Sequence, residues 1–202
     1  MSDLLTYLNK NLSINYFRTE EYEINILRLW ALTVGLAIPI FGLFLLNVDP
    51  NSIDYISHRL LISAYWLTIT FASFRKQFVK HSLILFSYIG NYLTATWVLW
   101  IVYQNNFSIN YSIGLILTLC CVGITFRNQK DVFLFFSYTT ILCLIGLFIS
   151  EKVETNKYIL SLTMFILSTV YLIIIYQREY MTKSLASANE ELMILNLSLI
   201  HI

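Results

Sequence analysis

The stretch Tyr158–Ile202 constrains the fold of this chain more than any other part of its sequence. The run Tyr158–Tyr176 is apolar and carries no charge, and the polar sequence from Gln177 onward contains no glycine or proline. At about 1.5 Å per residue the apolar run is roughly 28 Å long, close to the thickness of a bilayer's hydrocarbon core. We therefore predict one helix that crosses a membrane and continues unbroken into water.

The polar part of this stretch carries a heptad repeat of apolar residues. Leucines recur every seven residues, and a second apolar set follows three positions after each of them. This a/d spacing is typical of a helix that pairs with another helix. We predict a cytoplasmic coiled coil that forms a homodimer, with packing against another part of the same chain as the alternative. The predicted seam consists of Leu185, Ala188, Leu192, Leu195, Leu199 and Ile202.

Long apolar runs fill most of the remaining sequence and predict an all-α, polytopic membrane protein. Hydrophobic residues make up 57% of the 202 residues and charged residues only 12%, whereas soluble domains carry about 25% charged residues. Helices satisfy their own backbone hydrogen bonds, as a lipid environment requires. The six predicted spans are Ile26–Leu46, Arg59–Phe74, Ser82–Tyr103, Tyr111–Phe126, Val132–Ser150 and Tyr158–Tyr176.

The spans divide the chain into three parts. Residues 1–25 form an amphipathic segment that we expect to lie on the cytoplasmic membrane surface, because leucines recur there at steps of three and four residues. Residues 26–176 form the six-helix membrane domain, in which Pro39 is expected to kink the first span. Residues 177–202 begin the coiled-coil helix, which stops in mid-heptad, so we expect it to be cut short.

The positions of the basic residues predict the orientation of the spans. With six spans both termini lie on one side, and all of the 13 Lys and Arg residues except Arg59, Lys152 and Lys157 fall on that side. The positive-inside rule then places both termini in the cytoplasm of a multi-pass inner-membrane protein. The loops on the other side are too short to form an external sensing domain.

Asn91 is the strongest polar residue inside a predicted span. Its simpler interpretation is a hydrogen bond between helices, worth about 1 kcal/mol. The alternative is a polar anchor for a small amphiphilic ligand, since such pockets combine apolar walls with a few fixed polar groups. The side chains predicted to form this pocket are Asn91, Thr94, Trp97, Trp66 and Tyr111.

Other chemistry has little support in the sequence. Cys120, Cys121 and Cys143 lie inside apolar runs without metal-ligand spacing, so we expect no metal site, and we expect no cofactor. No ionisable residue lies near the middle of a span, which disfavours a pump. Arg28, Arg59 and His58 lie at span edges, where they can reach lipid headgroups. The net charge of +1 argues against a nucleic-acid partner.

The segment Leu185–Leu199, with its letters LASANEEL and LNLSL, resembles the signalling helix of bacterial sensor proteins. In that family such a helix links a membrane input domain to a PAS, histidine-kinase or nucleotide-cyclase output. The preceding six spans and short loops are similar in layout to the α-hydroxyketone quorum-sensing receptor kinases.

The resemblance implies a sensory input module, most simply that of a two-component sensor histidine kinase. The sequence itself contains no kinase, cyclase or ATP-binding motif and no catalytic residue. The alternatives are the membrane domain of a nucleotide cyclase and a transporter or scaffold subunit whose tail docks a partner.

Overall fold

The computed structural model describes residues 21–123 and 125–200. Within these residues the chain is all helical, with seven helices and no strand. The predicted amphipathic segment 1–25 lies outside the described residues except for its last five, and so does Ile202 of the predicted seam. The helices are α1 (Glu21–Val48), α2 (Ile56–Arg75), α3 (Gln77–His81), α4 (Leu83–Gln104), α5 (Ile109–Gly123), α6 (Gln129–Ile149) and α7 (Lys157–Ile200).

Each of the six predicted spans overlaps one helix other than the five-residue α3, which lies between the second and third spans. The fourth span, Tyr111–Phe126, extends beyond the helix that ends at Gly123. Four of these helices, α1, α4, α6 and α7, are long and apolar enough to cross a membrane. By length and composition they mark the chain as a membrane protein. Helix α2 has 20 residues but many polar ones, and α5 has only 15 residues.

The long helices pack into one bundle around α4, which contacts α1, α2, α5 and α6. Helices α1 and α2 form one hairpin, α6 and α7 form another, and α7 also packs against α5. We call the end where α1 begins and α2 ends the proximal end, and the end with Val48 and Ile56 the distal end. Large buried side chains such as Trp66, Phe126 and Phe135 fill the interior.

Helix α7 is continuous from Lys157 to Ile200, so the prediction of an unbroken helix through Gln177–Lys183 is confirmed. Its 44 residues give a length of about 66 Å, more than twice a hydrocarbon core. Leu185, the first residue of the predicted seam, is 66% exposed. The pairing of this helix with another one stays a prediction.

Candidate ligand cavity

A cavity of about 250 Å³ runs between α1, α4 and α5. Most of its wall is apolar: Trp30, Val34 and Phe41 come from α1, Trp97 and Val98 from α4, and Leu117 from α5. An apolar protein cavity of about 150 Å³ is large enough to bind benzene. The cavity here therefore has room for an apolar molecule of roughly ten non-hydrogen atoms.

A buried ion pair closes the distal end of this cavity. Arg59 Nε lies 2.9 Å from Asp54 Oδ1, and Arg59 Nη2 lies 2.5 Å from Asp54 Oδ2. The two side chains are only 5% and 0% exposed, respectively. The Tyr111 hydroxyl lies 3.0 Å from the same carboxylate and 2.8 Å from Ser52 Oγ. The two opposite charges neutralise each other, and the hydrogen bonds satisfy their polar atoms in a site from which water is largely excluded.

Arg59 reaches this position by crossing the backbone of α1. A Cβ at Gly42 would lie 2.1 Å from Arg59 Cδ and 2.3 Å from its Nε, so only glycine leaves room for the side chain. The guanidinium continues to the Ile38 carbonyl, to which Nη1 donates at 3.0 Å. It also lies over the ring of Trp97, 5.2 Å from the centroid, within the range of a cation–π interaction.

The prediction that Arg59 can reach lipid headgroups is wrong, because its side chain is buried, whereas the same expectation for Arg28 and His58 stays a prediction. Arg59 turns into the bundle, where Asp54 supplies its counter-charge. Arg28 is half-buried and donates from Nε to Ser73 Oγ at 2.8 Å and from Nη2 to the Ser73 carbonyl at 2.6 Å. Both side chains thus join α1 to α2 or to the loop between them.

Pro39 leaves one backbone carbonyl of α1 available to a donor from α2. Pro39 has no N–H, so the Gly35 carbonyl lacks the donor that a helix normally provides four residues later. The Ser63 hydroxyl of α2 donates to that carbonyl instead. A hydrogen bond from the neighbouring helix thus satisfies the buried carbonyl that Pro39 leaves without a donor, while the kink expected at Pro39 stays a prediction.

The loop between α1 and α2 is fixed above the closed end of the cavity. Asn105, at the end of α4, accepts from the Ile53 N–H at 2.8 Å and donates to the Ile53 carbonyl at 3.0 Å. Its amide also donates to the Ile101 carbonyl at 2.9 Å. The loop that supplies Asp54 is therefore held in place by α4.

The cavity opens sideways, between α1 and α5. Thr33 and Ala37 of α1 and Leu117 and Cys121 of α5 contribute to its wall and are exposed on the side of the bundle. Phe41 crosses part of this gap, because a Cβ at Gly114 would lie only 3.2 Å from the Phe41 ring. If the bundle lies in a bilayer, this opening faces lipid.

Three of the five predicted pocket residues, Thr94, Trp97 and Tyr111, line the cavity. Trp66 lies behind the wall and donates its indole N–H to Thr94 Oγ1 at 3.0 Å. Asn91 is fully buried but lies outside the cavity, and its amide donates to Thr125 Oγ1 at 2.7 Å. Asn91 thus connects α4 to the turn after α5, in the manner of its simpler interpretation.

The sequence reasoning missed Arg59, Gly42 and Phe41 as parts of this region. One signal was available: Asp54 and Arg59 carry opposite charges five positions apart at the edge of a predicted span. The position of Gly42 opposite Arg59 depends on how α1 and α2 cross, which no local pattern encodes.

Comparisons of the chain with protein-family models, with curated proteins and with solved structures find no match. Within residues 21–123 and 125–200, no group of three His, Cys, Asp or Glu side chains is placed to hold a metal ion. The functional interpretation therefore depends on the cavity and on α7.

Proposed function

We propose that this chain is the membrane input module of a signal-transduction protein of the sensor histidine kinase type. It binds a small lipophilic ligand in the α1–α4–α5 cavity and transmits binding through α7 to the cytoplasm. The observation that carries this proposal is the unbroken α7, which belongs to the bundle at one end and extends far beyond it at the other. A continuous helix can transmit a shift or rotation, whereas a flexible linker cannot.

Six spans are compatible with the polar composition of α2 because its polar residues face the bundle. Arg59, Ser63, Thr70 and Ser73 are buried, while the exposed large side chains of α2 between Leu60 and Phe74 are apolar. Lipid would thus meet mainly leucine and phenylalanine. For the 15-residue α5, the buried Phe107 and Phe126 extend the apolar segment beyond both helix ends.

The position of the cavity favours a ligand that arrives from the bilayer. Its distal end is closed by Asp54, Arg59 and Tyr111, and its opening lies between α1 and α5. The charges of Asp54 and Arg59 cancel, so the cavity favours a neutral molecule over an ion. This agrees with the short distal loops, which offer no separate domain for a water-soluble stimulus.

A dimer formed through the cytoplasmic part of α7 is the feature of this proposal that is simplest to test. Aspartate at both Leu192 and Leu199 would place charges in two a positions of the seam, and we expect the purified chain in nanodiscs to change from dimer to monomer. Aspartate at Leu197, an f position, makes the same chemical change off the seam and should leave the dimer intact. Single-molecule photobleaching counts the subunits.

Two results would contradict the proposed pairing. The first is a dimer that survives both aspartates at the seam. The second is an equal loss of dimer in the Leu197 control, which would indicate a general effect of charge on the helix. A chain that is monomeric without substitution would favour a tail that docks a different partner.

A further inference from the structure

Helix α5 has one side in the cavity and another against α7. Gly114, Leu117, Thr118, Cys121 and Val122 contribute to the cavity wall. The other two walls come from α1 and α4, neither of which packs substantially against α7 in the described part of the chain. Among the three walls, α5 therefore has the most direct connection to the long helix.

The first connection is the packing of Tyr171 of α7 against the last turn of α5. The Tyr171 hydroxyl donates to the Cys120 carbonyl, one of the last four carbonyls of α5, which lack donors within the helix. A Cβ at Gly123 would lie only 2.6 Å from the Tyr171 ring, so the ring rests directly on the α5 backbone. On its other side Tyr171 stacks on Phe136 of α6, with ring centroids 5.2 Å apart.

The second connection lies two turns further along α7. Arg178 donates to the carbonyls of Phe126 and Arg127, the latter at 2.8 Å, in the turn that follows α5. The Glu179 carboxylate accepts from the Gln129 N–H at 2.9 Å. The proximal end of α5 and its turn are thus held to α7 by side chains of α7 at successive levels.

We propose that α5 is the element that transmits occupancy of the cavity to α7, with Tyr171 and Arg178 as the positioning residues that couple the two helices. This inference rests on the proposed function, because it assumes that the cavity takes an occupant. A molecule that fills the cavity pushes on α5 at Leu117 and Thr118. Because α5 is short and the Tyr171 ring of α7 packs against its last turn, a displacement of α5 also moves α7.

Spin-label distances in the full chain in nanodiscs test this coupling. Labels at Arg75→Cys on α2 and Ser187→Cys on α7 report the position of α7, with Cys120, Cys121 and Cys143 replaced by alanine. An excess of unlabelled chain ensures that the measured label-to-label distances lie within one protomer rather than between two. Replacing Cys120 leaves its carbonyl, the acceptor for Tyr171, in place.

A substitution in the cavity wall of α4 mimics the occupant, so that the test needs no known ligand. Val98→Phe places a ring in the cavity without altering α5 or α7. We expect the distance between the labels to change by about 1–2 Å, the size of helix shifts in signalling proteins. Combined with Tyr171→Phe and Arg178→Gln, Val98→Phe should leave the distance unchanged.

The matched control removes a tyrosine hydroxyl and an arginine that bind carbonyls elsewhere in the bundle. Tyr65 donates to the Phe86 carbonyl at 2.7 Å, and Arg28 donates to the Ser73 carbonyl at 2.6 Å; neither bond involves α5 or α7. With Tyr65→Phe and Arg28→Gln, the response to Val98→Phe should persist. If the combined variant folds poorly, Tyr171→Phe alone serves as the milder test. It should reduce the change in distance that Val98→Phe causes.

Two outcomes would overturn the role of α5. One is an unchanged distance when Val98→Phe is introduced into the labelled chain that keeps Tyr171 and Arg178. The other is a change in distance on Val98→Phe that persists in the Tyr171→Phe/Arg178→Gln background. That result would not contradict ligand binding in the cavity, but it would assign transmission to another helix. Failure of the cavity to bind any apolar probe would instead refute the proposed function and is measured separately.

Discussion

Gly42→Ala is expected to destabilise the bundle, although alanine is the better helix former. In the interior of a helix glycine is about 0.5–1 kcal/mol less favourable than alanine. Here the new Cβ would lie 2.1 Å from Arg59 Cδ, which is far inside contact distance. Because α1 and α2 are packed closely, Arg59 must leave its position, and Asp54 loses its counter-charge in a site where its side chain is 0% exposed.

The magnitude follows from these two opposing effects. Separating a buried ion pair so that one charge is left alone costs about 3–5 kcal/mol. The gain in helix propensity offsets at most about 1 kcal/mol of this. We therefore expect Gly42→Ala to lower the free energy of unfolding by about 2–4 kcal/mol.

The assay is SDS-induced unfolding in mixed micelles, followed by far-UV circular dichroism. The matched background is the double variant Asp54→Ala/Arg59→Ala, which removes both the side chain that the added methyl group would meet and the carboxylate that this side chain neutralises. In that background Gly42→Ala should be stabilising, by about 0.5–1 kcal/mol. A neutral or stabilising effect of Gly42→Ala in the unaltered chain would refute the placement of Arg59 across α1.

Two further predictions concern the cavity and Asn91. In nanodiscs, the apolar quencher bromodecane should quench the fluorescence of Trp30 and Trp97 with a saturable component. Val98→Phe should remove this saturable component. Quenching that rises only linearly with bromodecane concentration would count against a binding site. Asn91→Ala should cost about 1 kcal/mol of stability, as expected for the loss of one hydrogen bond between its amide and Thr125. Thr125→Val should cost a similar amount and the double variant little more, whereas additive losses would mean that the two side chains act independently.

The positions of the helices could be predicted from the sequence because hydropathy is a local property. Every predicted span overlaps one helix, although the fourth span, Tyr111–Phe126, extends beyond the end of α5 at Gly123. The absence of glycine and proline after Tyr176 correctly indicates that α7 continues without a break. The short α3 was not predicted, since the five residues Gln77–His81 are too few to show a helical periodicity.

The site could be predicted only in part because it depends on how the helices are arranged. Polar and aromatic residues in apolar runs correctly drew attention to Thr94, Trp97 and Tyr111, which share a cavity. Asn91 was identified as unusual, but its partner Thr125 lies outside a helix, where spacing gives no guidance. The burial of Arg59 depends on a helix crossing that forms only in the folded chain.

The one-sided polarity of α2 also bears on how the protein is made. Arg28 of α1 bonds Ser73, while Ser63 and Arg59 of α2 bond the carbonyls of Gly35 and Ile38 in α1. If α2 crosses the bilayer as proposed, a translocon that selects segments by hydrophobicity would release α1 into lipid readily and retain α2, because the Ser63 hydroxyl and Arg59 Nη1 find their carbonyl acceptors only in α1. Biogenesis should therefore deliver these two segments to the bilayer together, as a preformed helical hairpin.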